Sequence, residues 1–172
     1  MLPLLLSVTL ALSQDAAAHD ALAARLVAVL PPAGSERNEP DSFAVERAAT
    51  LTKAHPDKSA AVATAFADRV RCSDSKRDEG VGRVMFAVAR SLSDDDIRGM
   101  IAFYTGPDVA VMEKLTEETP EWKAILARYP LMRFAEAMRS QAGPKMIEEV
   151  MAAEDACEAV LTATLAKEGI SQ

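Results

Sequence analysis

The sequence predicts an all-α fold, a compact bundle of about six to eight short helices with a long C-terminal helix. Alanine, leucine and methionine dominate the apolar residues, and aromatic residues make up only 5% of the 172 positions. No segment alternates Val, Ile or Thr with the period of two that a half-buried strand requires. Residues 19–172 are numerous enough to bury a core of their own, so we expect one helical domain.

The first segment, residues 2–12, is an apolar run. Its length suits the core of a signal peptide and falls short of a membrane-spanning helix. Small residues precede two candidate cleavage points, one after Ser13 and one after Ala18. No Lys or Arg precedes the run, so we expect either that the start lies upstream of Met1 or that the amino terminus alone supplies the positive charge. The alternative is an apolar tail that is buried or disordered. We expect residues 1–13 to be a signal peptide of a periplasmic or secreted protein, with no transmembrane helix in the mature chain.

Helical periodicity predicts the elements in the first half of the chain. The first helix covers residues 18–30 and ends at two prolines, and residues 31–40 form a polar linker. Three further helices are expected at 42–54, at 57–71 and at 81–91. Between the last two lies SDSKRDEG, residues 73–80, which we interpret as a charged loop.

Residues 92–115, LSDDDIRGMIAFYTGPDVAVMEKL, carry the clearest local signals. Ser93 can cap a helix whose first turn holds three aspartates, and these suit the positive end of the helix dipole. One face of this helix carries the apolar residues Ile97, Met100, Ile101 and Tyr104. Gly106 is a natural left-handed helix end and Pro107 a natural start for the next helix. The segment therefore predicts two helices that meet at a sharp corner.

This segment resembles the core motif of a bacterial secreted family known only as domain of unknown function 2059. Members typically show Leu followed by Ser or Thr, an acidic residue, a short apolar helix, Phe-Tyr, a Ser-Pro step and a Gly. The chain matches this pattern at Leu92-Ser93, at Asp95 or Asp96, at Phe103-Tyr104 and at Pro107. It departs from it at Gly106, where Ser is usual, and at Val109, where Gly is usual. The resemblance implies a helical exported domain and no particular reaction.

The last third of the chain predicts three more helices. Thr119-Pro120 opens one, Pro130 begins the next, and Gly143-Pro144 ends that one. The final helix, at residues 145–167, is the longest. Its expected inward residues are Ile147, Val150, Met151, Cys157, Val160 and Leu161.

Two cysteines, Cys72 and Cys157, lie far apart in the sequence. They form no CxxC motif and have no cluster of metal ligands beside them. We expect a disulfide between them, which suits an oxidising compartment. The alternative is two unrelated thiols that are buried as small apolar residues.

Few residues in the chain could support chemistry. The two histidines, His19 and His55, are expected at the surface, so a metal-binding pair or a catalytic triad cannot be assembled from them. Asp94, Asp95 and Asp96 lack the spacing of a calcium loop. We therefore expect no metal and no cofactor. The net charge of −7 argues against binding to nucleic acid.

Three aromatic residues, Phe103, Tyr104 and Trp122, form the one candidate site for a ligand or partner. They could line an apolar groove that accepts a lipidic ligand or a partner helix. The alternative is that they fill the core, as aromatic residues at helical spacing usually do.

Two classes of function remain. The first is a non-catalytic binding or interaction module of the cell envelope, which holds an envelope protein or an apolar ligand. The lack of a catalytic constellation favours it, as do eight methionines, which suit adaptable apolar surfaces. The alternative is a carboxylate-dependent periplasmic enzyme that uses Glu113, Glu117 and Glu118.

Overall fold

The computed structural model describes residues 3–31, 42–115 and 119–171, with side chains described from residue 15 onward. All regular elements in these ranges are helical, which confirms the all-α class and the long C-terminal helix. The α-helices are α1 (Pro3–Val29), α2 (Ser42–Ala54), α3 (Ser59–Arg90), α4 (Asp94–Thr105), α5 (Asp108–Met112), α6 (Pro120–Arg128), α7 (Leu131–Ala137) and α8 (Gly143–Lys167). A 3₁₀ turn at Pro56–Lys58 precedes α3, and a π-helical segment at Met138–Ala142 joins α7 to α8.

The chain groups into two compact units, each built from two separate stretches of sequence. Unit 1 comprises Met1–Pro31 and Gly82–Pro144, and unit 2 comprises Pro32–Val81 and Lys145–Gln172. Helices α3 and α8 each contribute residues to both units. The single domain over residues 19–172 stays a prediction.

The core of unit 1 forms where α1 packs against α4. Its buried residues are Ala23, Leu26, Ala89, Leu92, Ile97, Met100 and Ile101. Full burial of a Leu, Ile or Met side chain contributes about 1.5–3 kcal/mol to the free energy of folding. The contact between the apolar faces of α1 and α4 therefore stabilises unit 1. This face of α4 is the one that its sequence predicts.

The core of unit 2 joins α2, α3 and the C-terminal half of α8. Its buried residues are Ala44, Leu51, Val62, Ala65, Phe66, Leu161, Leu165 and Ile170. A disulfide connects Cys72 on α3 to Cys157 on α8, with the two Cα atoms 5.7 Å apart. The predicted pairing of the cysteines is therefore present.

An ion-pair network lies beside this disulfide in unit 2. Glu154 of α8 accepts hydrogen bonds from Arg69 Nη2 at 3.1 Å, Arg77 Nη2 at 3.0 Å and Ser73 Oγ at 3.2 Å. Glu158, one turn later, accepts a bond from Arg69 Nε at 3.1 Å. The two arginine side chains are only 14% and 12% exposed. Because buried charges are costly without partners, these contacts hold α3 against α8.

The prediction of a charged loop at residues 73–80 is wrong, because α3 continues through it. The prediction that the final helix is the longest is wrong for the same reason, since α3 has 32 residues and α8 has 25. Ser73, Arg77 and Gly80 lie on the face of α3 that meets α8. A Cβ atom added to Gly80 would lie 3.0 Å from Glu149 Cβ, so the two helices are in close contact at this point. Polar side chains here occupy positions at which a core usually has apolar ones.

Two further details of the helix ends differ from expectation. Gly106 ends α4 with φ −96° and ψ 175°, an extended rather than a left-handed conformation. A Cβ atom there would lie 2.7 Å from the Ala102 carbonyl oxygen, so close backbone approach is the reason for glycine. Gly143-Pro144 does not end a helix, since the helical path continues from the π-helical segment into α8.

The inward face of α8 was only partly predicted. Cys157 and Leu161 are buried as expected, whereas Ile147, Met151 and Val160 are exposed. The residues that α8 buries are Ala153, Cys157, Leu161 and Leu165, spaced four apart.

The apolar run at residues 2–12 lies largely within α1, but the side chains of residues 1–14 are outside the described part. Most of the predicted linker at residues 31–40 is also outside the described residues. Among the helices that the structure describes, none combines the length and the apolar character needed to cross a membrane.

Candidate functional site

A cleft of about 500 Å³ lies in unit 1, between α4 and the corner where α6 passes into α7. Asp95, Asp96 and Gly99 of α4 form one wall. The opposite wall includes Arg128, Tyr129, Pro130, Met132 and Arg133. Apolar and charged side chains therefore share a concave surface, and ligand sites are usually concave.

The α4 wall is fixed by the cap of its own helix. Ser93 Oγ accepts a bond from the Asp96 backbone N–H at 3.2 Å and donates one to Asp96 Oδ2 at 2.8 Å. The other carboxylate oxygen, Oδ1, accepts a bond from Arg133 Nη1 at 2.7 Å. Only 12% of the Asp96 side chain is exposed. One carboxylate thus closes the start of α4 and connects it to α7.

The opposite wall is fixed by a second carboxylate, that of Asp108 on α5. Its Oδ2 accepts bonds from Arg128 Nη1 at 2.6 Å and from the Tyr129 hydroxyl at 2.9 Å. The ring of Tyr129 packs edge-on against Phe103, with the ring centres 5.3 Å apart. Hydrogen bonds to charged groups are stronger than neutral ones, so the bonds to Asp108 orient the side chains of Arg128 and Tyr129 at this corner.

The α4 wall of the cleft also depends on a close approach between Gly99 and the ring of Pro130. A Cβ atom added to Gly99 would lie 2.7 Å from Pro130 Cδ. Only glycine therefore allows α4 to approach the α6–α7 corner at this position.

Met132 is a large apolar residue of the cleft, and 60% of its surface is exposed. The thioether side chain is flexible and polarisable, so it adapts to partners of different shape. The charged groups around it already have partners: Asp96 with Arg133, and Arg128 with Asp108. The cleft can hold an apolar group without leaving a charge unpaired at its rim.

The three predicted groove residues do not line this cleft. Phe103 is buried and Tyr104 is half-buried, and their rings meet edge to face with centres 5.2 Å apart. Burial raises the pKa of the Tyr104 hydroxyl. Trp122 lies in the first turn of α6, and among the described side chains no ring contact joins it to the other two. The three-residue groove stays a prediction, and Phe103 contacts one cleft residue, Tyr129.

The acids of the predicted enzymatic alternative are only partly described. Glu113 follows the last residue of α5 and is exposed. Glu117 and Glu118 lie outside the described residues. In the described ranges, no group of three or more His, Cys, Asp or Glu side chains could hold a metal ion.

Local sequence patterns did not predict a role in the site for Asp108, Arg128, Tyr129 or Arg133. Their contacts join residues 20 to 37 positions apart, and no local pattern encodes such contacts. His19, expected at the surface, is instead half-buried and bonded to Asp94.

No protein-family model, curated protein or solved structure matches the chain. The likeness of residues 92–115 to a secreted family therefore stays a prediction. The function has to be argued from the geometry of the cleft.

Proposed function

We propose that this chain is a non-catalytic binding module of the bacterial cell envelope, and that its cleft holds an apolar segment of an envelope protein. The observation that carries the proposal is the position of Met132. It lies exposed in a concave surface whose neighbouring charges are already paired. An apolar ligand such as a lipid chain is the other occupant, and the experiment below separates the two.

The rim of the cleft favours binding over catalysis. Asp96 and Asp108 each accept a bond from an arginine and one from a hydroxyl. These bonds use the carboxylates to fix the two walls. Carboxylate-dependent hydrolysis needs a pair of acids that face a shared substrate, and these two acids face arginines instead.

Three features support a location in the envelope. The apolar run at residues 2–12 has the length of a signal-peptide core. The disulfide between Cys72 and Cys157 suits an oxidising compartment. The motif at residues 92–115 resembles that of a secreted family.

The test compares two methionines that are equally exposed, one inside the cleft and one outside it. Met132 in the cleft is 60% exposed, and Met151 on α8 of unit 2 is 61% exposed. The exported chain, Met132→Glu and Met151→Glu are used to capture partners from envelope extract, and bound proteins and lipids are both identified. We expect a protein to be retained by the exported chain and by Met151→Glu and to be lost with Met132→Glu, because a carboxylate in the cleft opposes apolar contact.

Equal capture by all three chains would contradict the proposal, as would capture of lipid alone. Circular dichroism of both variants checks that neither substitution changes the helical fold. Both sites are exposed, so each variant should keep its stability within about 0.5 kcal/mol.

A further inference from the structure

His19 of α1 has an oxygen acceptor at each of its two ring nitrogens. Nδ1 lies 2.6 Å from Asp94 Oδ1, and Nε2 lies 2.9 Å from the backbone oxygen of Arg90. A neutral imidazole has one N–H and can donate only one of these bonds. Only the protonated ring donates both, so the geometry is that of an imidazolium.

The two acceptors belong to the turn between α3 and α4. Arg90 is the last residue of α3 and Asp94 the first of α4. One and two turns after His19, Ala23 and Leu26 of α1 are completely buried in the core of unit 1. Residues 15–18, just before it, are exposed. Among the described side chains of α1, His19 thus makes its polar contacts one turn before the first buried residue.

Three carboxylates and two arginines lie around the ring. On α1, Asp20 follows His19, and the Arg90 Nε atom lies 2.7 Å from Asp20 Oδ1. On α4, Arg98 Nη2 lies 3.1 Å from Asp94 Oδ2, and Asp95 is largely exposed. The bond to Asp94, then the bond to the Arg90 carbonyl, raises the pKa of His19, against a small opposing effect of burial. The His19 bond in turn lowers the pKa of Asp94.

We propose that His19 is a pH-dependent latch: the protonated ring holds α1 on the α3–α4 turn, and the neutral ring releases one of its two bonds. The inference rests on the geometry of unit 1 and is independent of the proposed binding function. Because the pKa of His19 is raised in the folded chain, the latch is complete below the ordinary histidine value of 6.5 and is lost as pH rises through the raised value.

The direct test is the titration of the ring in the full chain by NMR. We expect His19 to titrate above 6.5 and to move downward in Asp94→Asn, which removes the charged acceptor. A His19 pKa at or below 6.5, or a pKa that does not change in Asp94→Asn, would overturn the latch. This measurement on the wild-type chain holds even where a variant of His19 does not fold.

Hydrogen exchange then tests what the latch holds. The measured quantity is the equilibrium constant for opening of the α1 amides at 23–29, divided by that of the α8 amides at 157–165. This ratio should rise about 2- to 10-fold between about pH 5 and about pH 9, which corresponds to the loss of one hydrogen bond. The ratio cancels the chemical pH dependence of exchange. His19→Gln should give a flat profile, and His55→Gln, the matched control, should behave as wild type. A profile in His19→Gln equal to that of wild type would refute the proposal.

Discussion

Replacing Glu154 with glutamine tests whether polar side chains hold unit 2 together. Glu154 is the shared acceptor for Arg69, Arg77 and Ser73. Glutamine keeps the size of the side chain and one of its two acceptor atoms. It places an NH₂ group, a donor, where the second carboxylate oxygen accepted a bond. At least one arginine bond is lost, and the other loses its charged acceptor.

The magnitude follows from the burial of the arginines. Each hydrogen bond to a charged group is worth about 1.5–3 kcal/mol, and the loss of one partner of a fully buried pair costs about 3–5 kcal/mol. Arg77 is 12% exposed and Glu154 is 34% exposed, so solvent screens part of the interaction. Arg69 also keeps its bond to Glu158. We therefore expect Glu154→Gln to lower the free energy of unfolding by about 2–3 kcal/mol.

Urea unfolding with the disulfide intact, followed by circular dichroism, measures this loss. Hydrogen exchange of the α8 amides shows whether it falls on unit 2. Asp155→Asn is the control, since Asp155 is the next residue and is exposed, and its change should stay within about 0.5 kcal/mol. If Glu154→Gln were no more destabilised than Asp155→Asn, the polar contacts would not hold α3 against α8, and the reasoning would fail.

Two further predictions concern covalent and steric constraints. Replacing Cys72 and Cys157 together with alanine should lower the free energy of unfolding by up to about 4–5 kcal/mol in urea, the chain-entropy limit for a loop of this length; an unchanged midpoint would contradict it. Gly99→Ala should destabilise the chain by about 1–2 kcal/mol, because the new Cβ would lie 2.7 Å from Pro130 Cδ and the cost of this overlap exceeds the gain in helix propensity. Gly82→Ala, with nothing within 4 Å of its Cβ, should instead stabilise by about 0.5–1 kcal/mol, and thermal unfolding that gives both the same sign would refute the steric account.

The elements that could be predicted are those with local signals. Ser93 caps α4 as expected because its acceptor bond joins residues three apart. Thr119 caps α6 in the same way, with its hydroxyl accepting from the Trp122 N–H at 3.1 Å. Pro130 separates α6 from α7, because a proline in the interior of a helix removes a backbone hydrogen bond.

The continuation of α3 through residues 73–80 could not be predicted, because the face that meets α8 is polar there. Hydrophobic periodicity detects a buried face only when apolar residues line it. Arg77 would count as a surface residue in any such analysis, yet Glu154, far away in the sequence, makes its burial favourable. Arg133 of the cleft was missed for another reason: it is 73% exposed, and its partner Asp96 is 37 positions away.

Residues 92–115 were predictable as structure, and they lie beside both the proposed binding cleft and the proposed latch. Neighbouring positions on a helix point about 100° apart, so different faces of α4 contact different parts of unit 1. Ile97 and Met100 face the core, and Asp96 and Gly99 face the cleft. Asp94 faces His19 of α1. The proposed binding and the proposed latch are therefore tested at positions outside this core, by Met132→Glu on α7 and His19→Gln on α1, whereas a change at the buried Phe103 would also disturb the packing.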